Sequence, residues 1–166
     1  YTAFGAYHFE RDFIQSQFNQ GKLSINVCPF TGRAFFVRSP AEYFSANLAL
    51  TDTGLAAQLF RTDAPIYTRV HDEVPAYYGM DCAVSGCIVA DGCLIEGSAE
   101  HCVLSRGIRI GKGAKLKNCV ILQGSVIEAG AELENVIVDK RAVISAGTQL
   151  RGLPVSPVII RKGACV

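Results

Sequence analysis

The sequence predicts a mainly β protein whose larger part is a three-sided parallel β-helix, a solenoid of short strands stacked coil upon coil. Three observations predict it. A five-residue phrase returns along the chain as SGCIV (85–89), EHCVL (100–104), KNCVI (117–121) and ENVIV (134–138), at spacings of 15, 17 and 17 residues. Between phrases the aliphatic residues fall in steps of six: Leu104, Ile110, Leu116; Ile121, Ile127, Leu133; Val138, Ile144, Leu150. Glycine recurs near the bends, at Gly92, Gly97, Gly111, Gly113, Gly124, Gly130 and Gly147. One step of five and two of six make a coil of 17 with three sides. Such a fixed short period, with one buried aliphatic per side, is the mark of a hexapeptide-repeat β-helix.

The period dictates the physics. Each side is a short strand that pairs with the same side of the next coil, about 4.8 Å along the axis. The predicted inward residues are Val84, Val89, Ile95, Leu104, Ile110, Leu116, Ile121, Ile127, Leu133, Val138, Ile144 and Leu150. Each such burial stabilises by about 1.5–3 kcal/mol. Tight bends need Gly, or the tolerance of Asn and Asp. Cys87, Cys102 and Cys119 hold one equivalent position on successive coils. A metal or redox site is one reading of that file. Small apolar filler is the other, and it is favoured, because no CxxC pair occurs and a file with one thiol per coil does not surround a tetrahedral ion.

The rest of the chain reads in order. Residues 1–7 look like the tail of a strand, and a short helix follows with Phe9, Phe13, Ile14 and Phe18 on one face, ending at Gly21. Alternation predicts a strand over 22–28, a turn over 29–32 and a second strand over 33–38. Ser39-Pro40 opens a helix to about Leu50, and Thr51 or Asp52 caps a further helical turn through Phe60. Residues 61–75, with the extended run Ile66–Val70, are the expected connector into the β-helix, which begins near Asp81. After Leu150 the pattern loosens at Gly152, Pro154 and Pro157 and resumes at Val158-Ile159-Ile160, as one closing coil with an inserted loop.

Composition narrows the function classes. The chain has 166 residues and a net charge of +1, so neither nucleic acid nor a membrane surface has an electrostatic claim on it. No apolar run reaches the about 18 residues of a membrane span. Seven cysteines, an odd number without a disulfide framework, predict free thiols in a reducing, cytoplasmic setting. The chain opens mid-pattern at Tyr1, which reads as the C-terminal piece of something longer.

Few residues suggest chemistry. His8, His71 and His101 are the only histidines. His101 is a weak general-base candidate, with no second His one coil away. Arg106 and Arg109 flank Ile108, and with Lys112, Lys115 and Lys117 they are candidates for an anion-binding face, weighed against an ordinary solvated surface. Gly111-Lys112-Gly113 lacks the strand–loop–helix context of a phosphate loop. No metal site is expected.

A phrase before the repeats carries a resemblance. Leu59-Phe60, then Ala64-Pro65-Ile66-Tyr67-Thr68-Arg69-Val70-His71-Asp72-Glu73-Val74-Pro75, followed by the β-helix with Ala90-Asp91-Gly92-Cys93, Gln123–Ile127 and Glu134–Lys140, resembles the linker and C-terminal domain of bacterial glucose-1-phosphate adenylyltransferases (ADP-glucose pyrophosphorylases). Within that family it looks most like the GlgD-type glycogen biosynthesis subunit. The resemblance implies a left-handed β-helix over 80–166, a helical linker over 39–79, and a remnant of the nucleotidyltransferase α/β domain over 1–38. It implies a tetramer, as a homo- or hetero-oligomer with a catalytic subunit, regulated by small-molecule effectors. Arg106 and Arg109 are the expected effector contacts. Mg²⁺ and ATP are implied for full-length catalytic members, and no cofactor for this fragment.

One departure shapes the functional expectation. Catalytic relatives carry, before this helix, a strand whose Asp serves the metal-bound sugar phosphate. Here the stretch reads Gly32-Arg33-Ala34-Phe35-Phe36-Val37-Arg38-Ser39, with Phe36 at the Asp position. Phe offers Mg²⁺ no oxygen. The expectation is a non-catalytic subunit that assembles with and modulates a catalytic one. The alternatives are an active adenylyltransferase drawing a carboxylate from elsewhere, and a hexapeptide acyltransferase, which the lack of a protruding loop and a His pair disfavours.

Overall fold

In a computed structural model, residues 8–68 and 72–166 are described. The strand tail expected over 1–7, the end of the run Ile66–Val70, and His71 lie outside them. The chain divides into two compact units, Tyr1–Gly32 and Arg33–Val166.

In the first unit a π-helical stretch, Phe9–Gln15, continues as α1 (Ser16–Asn19). Phe9 and Phe13 stack with ring centroids 5.4 Å apart. The helix closes at Gly21, whose φ of 67° lets its N–H reach Phe18 O at 2.9 Å and lets Lys22 N–H reach Gln17 O at 3.0 Å. The strands expected over 22–28 and 33–38 do not form. Alternation fits a residue to a sheet, but a strand exists only where a neighbour takes up its N–H and C=O groups, and no described segment pairs with either stretch. Their apolar side chains Val27, Phe36 and Val37 stay exposed.

The second unit opens with α2 (Pro40–Ala49) and α3 (Thr53–Leu59). Ser39 Oγ accepts from Glu42 N–H at 3.2 Å, and Glu42 Oε2 accepts in return from Arg38 N–H at 2.7 Å. This is a reciprocal cap one residue wider than the usual box. Asp52, rather than Thr51, caps α3, its Oδ1 accepting from Gly54 and Leu55 N–H at 2.8 and 3.2 Å.

The β-helix follows, coil by coil. The first coil carries β1 (Tyr77–Tyr78), β2 (Ala83–Ser85) and β3 (Ile88–Val89). The second carries β4 (Leu94–Ile95), β5 (Ser98–Glu100) and β6 (Val103–Leu104). The third carries β7 (Arg109–Ile110) and β8 (Lys115–Ile121), and the fourth β9 (Val126–Ile127) and β10 (Glu132–Val138). The last carries β11 (Val143–Ile144), β12 (Gln149–Arg151) and β13 (Val158–Ile160). The two seven-residue strands bend and serve two walls each. The β1-β4-β7-β9-β11 sheet is the first wall. The second runs β2-β5-β8-β10-β12, and the third joins β3, β6 and β13 to the later halves of β8 and β10. Every pairing between these strands is parallel. The first coil starts at Tyr77, before the Asp81 of the sequence reading, because Tyr77 and Tyr78 already pair with Leu94 and Ile95.

Side chains from the three walls meet inside. Ile95, Ile110, Ile127 and Ile144 stack from the first wall, Leu116 and Leu133 from the second, and Leu104, Ile121, Val138 and Ile160 from the third, all buried. Val84, Val89 and Leu150 are partly buried against this core. Ile108 adds a fully buried side chain at a bend. The spacing of 15 has a local cause: the second coil turns from β4 to β5 through Glu96-Gly97 alone, where the third uses four residues, 111–114. Only glycine fits at Gly97, where a Cβ would lie 2.5 Å from Ala114 O. The inserted loop of the last coil starts at Gly152 and closes by paired backbone bonds between Leu153 and Ser156.

A second, small core lies outside the coil. Phe44 of α2, 1% exposed, packs on the outer faces of Val120 and Ile137 in the third wall. The helix thus lies against that wall and covers apolar residues that would otherwise face water.

Candidate functional site

The bend between the second and third walls places one residue per coil in the left-handed region: Gly86 (φ 58°), His101 (53°), Asn118 (49°) and Asn135 (53°). Asn tolerates this conformation through its short polar side chain, and Gly through the lack of one. The file is hydrogen-bonded. His101 Nδ1 lies 2.9 Å from Asn118 Oδ1, and Asn135 Nδ2 donates to Gly152 O at 3.1 Å. The second bond fixes the amide of Asn135 and leaves its buried Oδ1 without a partner among the described residues. Opposite stand Phe44, Ser45, Leu48, Thr51 and Asp52, and the groove between encloses about 540 Å³. Its lining holds an imidazole, amide and hydroxyl groups, one carboxylate and an apolar wall, but no Lys or Arg to meet an anion.

The cysteine file is set in backbone. Cys102 N–H donates to Cys87 Sγ and Cys119 N–H to Cys102 Sγ, both at 3.3 Å, while each thiol faces a carbonyl two residues before it at 3.2 Å. The neighbouring thiol of Cys102 holds Cys87 well above the ordinary thiol range, with burial adding to it. Cys102 is pushed up to about 12, chiefly by the Cys119 thiol beside it, with burial adding. Burial raises Cys93 too. These sulfurs keep their protons at neutral pH, and the thiolate is the form that attacks or ligates. The geometry is that of filler. Among the described residues no three His, Cys, Asp or Glu side chains converge on a metal position.

The two arginines singled out in the sequence lie apart from the His101 groove. Arg109, exposed in β7, sits in register between Leu94 and Val126 on the outside of the first wall. Arg106 lies in the bend before it, its carbonyl accepting from Gly124 N–H at 3.0 Å. Neither guanidinium makes an ion pair among the described residues. No helix among them is long and apolar enough to cross a membrane.

Comparisons with known proteins add the relationship. The family described as GlmU-like, C-terminal hexapeptide, matches residues 73–152. The chain is 36% identical over 114 residues to the glycogen biosynthesis protein GlgD of Bacillus subtilis (strain 168), covering 66% of this chain and 33% of that protein. It is 45% identical over 69 residues to GlgD of Geobacillus stearothermophilus, covering 42% and 20%. To the glucose-1-phosphate adenylyltransferase of Geobacillus stearothermophilus it is 32% identical over 112 residues, covering 68% and 29%. Over its C-terminal region the chain is similar to the GlgD and glucose-1-phosphate adenylyltransferase proteins. It spans a third or less of the length of these curated relatives.

Against the adenylyltransferases it is similar to, the stretch before α2 is the informative one. Phe36 is 68% exposed, and the Arg38 guanidinium carbon lies 5.2 Å from its ring centroid. An aromatic ring under a cation presents no oxygen to a metal ion and adds positive charge to the neighbourhood. The residues 32–39 therefore do not fit a Mg²⁺-bound phosphate at this position. The left-handed file at 86, 101, 118 and 135 stood in the sequence as Gly, His, Asn and Asn at the second place of the recurring phrase.

Proposed function

We propose that this chain is the regulatory and assembly part of a glucose-1-phosphate adenylyltransferase (ADP-glucose pyrophosphorylase) in bacterial glycogen biosynthesis. In this reading it is a non-catalytic, cytoplasmic subunit that oligomerises, as a tetramer, with a catalytic partner and modulates it. The observation that carries the reading is Phe36, exposed and stacked under Arg38 where the family resemblance sets the metal-serving Asp. Similarity to two proteins named for glycogen biosynthesis supports the pathway. A regular rod with flat, partly apolar walls supports an assembly role.

Regulation in this reading rests on Arg106 and Arg109. Both are unpaired among the described residues, and a metabolite anion would be met by guanidinium groups in the geometry they favour.

One experiment tests both halves. The full-length protein is assayed with ATP, Mg²⁺ and glucose 1-phosphate, alone and mixed with a catalytic relative, with and without candidate effectors. The expected result is negligible turnover alone, altered rate or effector response of the mixture, and a weaker effector response with Arg106→Ala and Arg109→Ala. Turnover alone at the level of a catalytic subunit would refute the non-catalytic reading. An effector response indifferent to both substitutions would remove the arginines.

A further inference from the structure

The outside of the second wall carries two files of side chains in parallel register. One file runs Ala83, Ser98, Lys115, Glu132, Gln149, and the other Ser85, Glu100, Lys117, Glu134, Arg151. A trough of about 530 Å³ lies along this wall, between the two files. From the second coil onward the second file alternates in sign, Glu, Lys, Glu, Arg, and the first reads neutral, Lys, Glu, neutral. Within the chain, Lys115 pairs with Glu132 at 3.1 Å, Lys117 with Glu100 at 3.8 Å and Arg151 with Glu132 at 3.8 Å. Glu134 has no ion-pair partner among the described residues.

We propose that this wall is an interface with a second copy of the chain. The two rods lie antiparallel, about a two-fold axis that runs along the strand direction between the coil of Lys115 and Lys117 and the coil of Glu132 and Glu134. The operation reverses the order of coils and sets each file against its own copy. Glu100 then faces Arg151 of the other copy, Lys117 faces Glu134, Lys115 faces Glu132, and Ser98 faces Gln149, each pair occurring twice. An even run of alternating charges is complementary to its own reverse, which is what an isologous contact requires. The parallel arrangement of the same two walls fails, because it sets Lys115 against Lys117 and Glu132 against Glu134.

The wall is narrow. From Glu100 to Arg151 it is three strand spacings, about 14 Å long, so the contact falls short of the about 800 Å² per partner of a standard stable interface. The association is therefore weak, reversible and salt-sensitive. The inference deepens the assembly part of the reading above and rests on it only for self-association. The competing account is internal: alternation along a stack keeps like charges from sitting about 4.8 Å apart, with no second chain involved.

A charge swap separates the two accounts. Lys117→Glu or Glu134→Lys alone breaks the complementarity at two symmetry-related places. The double variant K117E/E134K turns the file into Glu, Glu, Lys, Arg. That order ruins the internal alternation, yet its reverse still matches it across the two-fold axis. Sedimentation equilibrium of the full chain, at low salt and at about 0.5 M salt, reads the outcome. The expected result is a dimer that weakens at least about tenfold with salt and with either single reversal, and recovers in the double variant. The swap K115E/E132K on the other file repeats the test should a variant melt unlike the parent chain. Self-association indifferent to single reversals, or a double variant no better than the singles, overturns the proposal. If every variant stays monomeric alone yet still binds a catalytic relative, this face is wrong while the proposed function stands.

Discussion

At the scale of the residue, the cysteines connect packing to pH. Cys102 is fully buried, and its thiol is held up to about 12 by its neighbour and by burial, against 9.0 for an ordinary thiol. The folded chain therefore keeps a proton that the unfolded chain releases. Stability is fully present below the unfolded value of about 9 and is lost as pH rises above it. We expect the melting temperature to fall as pH rises from about 9 towards about 12, with a smaller slope in Cys102→Ala. A slope identical in the two proteins would contradict the assignment. A thiol reagent should find Cys28 and Cys165 quickly in the native chain, and Cys93, Cys102 and Cys119 only on unfolding.

At the scale of the element, α2 shows what local sequence does and does not say. Its start was legible, because Ser39 Oγ accepts the Glu42 N–H, Pro40 brings no N–H to the first turn, and the Glu42 carboxylate accepts from Arg38 N–H just before it. Its docking was not, because Phe44 lies far in sequence from Val120 and Ile137. A signal existed nonetheless. Val120 and Ile137 sit inside the runs Cys119-Val120-Ile121 and Val136-Ile137-Val138, apolar on both faces, which is how a strand covered on both sides reads. Phe44→Ala should cost about 3–5 kcal/mol of unfolding free energy in a denaturant titration. A loss below about 1 kcal/mol would show that the helix does not depend on this contact. The opposite error arose at 22–28 and 33–38, where alternation promised strands. Pattern reports the shape of a surface and not the presence of a neighbour, and these stretches have none among the described residues.

At the scale of the whole molecule, the rod was the most legible part, since each coil is an independent copy of one instruction. The step of six set the inward residues of the third, fourth and last coils: Ile110, Leu116, Ile121, Ile127, Leu133, Val138 and Ile144 are buried, and Leu150 is partly so. The period failed at Glu96-Gly97, where a bend two residues shorter hid the cause of the spacing of 15. Because the stack is shared, one buried charge should disable it. Leu116, 3% exposed, touches the coils on either side through its register with Ala99 and Leu133. Leu116→Asp should remove several kcal/mol from a domain whose total stability is about 5–15 kcal/mol. Circular dichroism of that variant should show the β signal lost at room temperature, and an unchanged melt would mean the coil register is wrong.

The helix laid along the third wall also decides how the rod meets a pull. A load applied at Arg33 enters broadside through α2 and the Phe44 contact, not at the end of the stack. The helix, held chiefly by the packing of Phe44, is then expected to come away before the coils, whose strands are hydrogen-bonded along every wall. The strap is a mechanical fuse in series with the spring it protects.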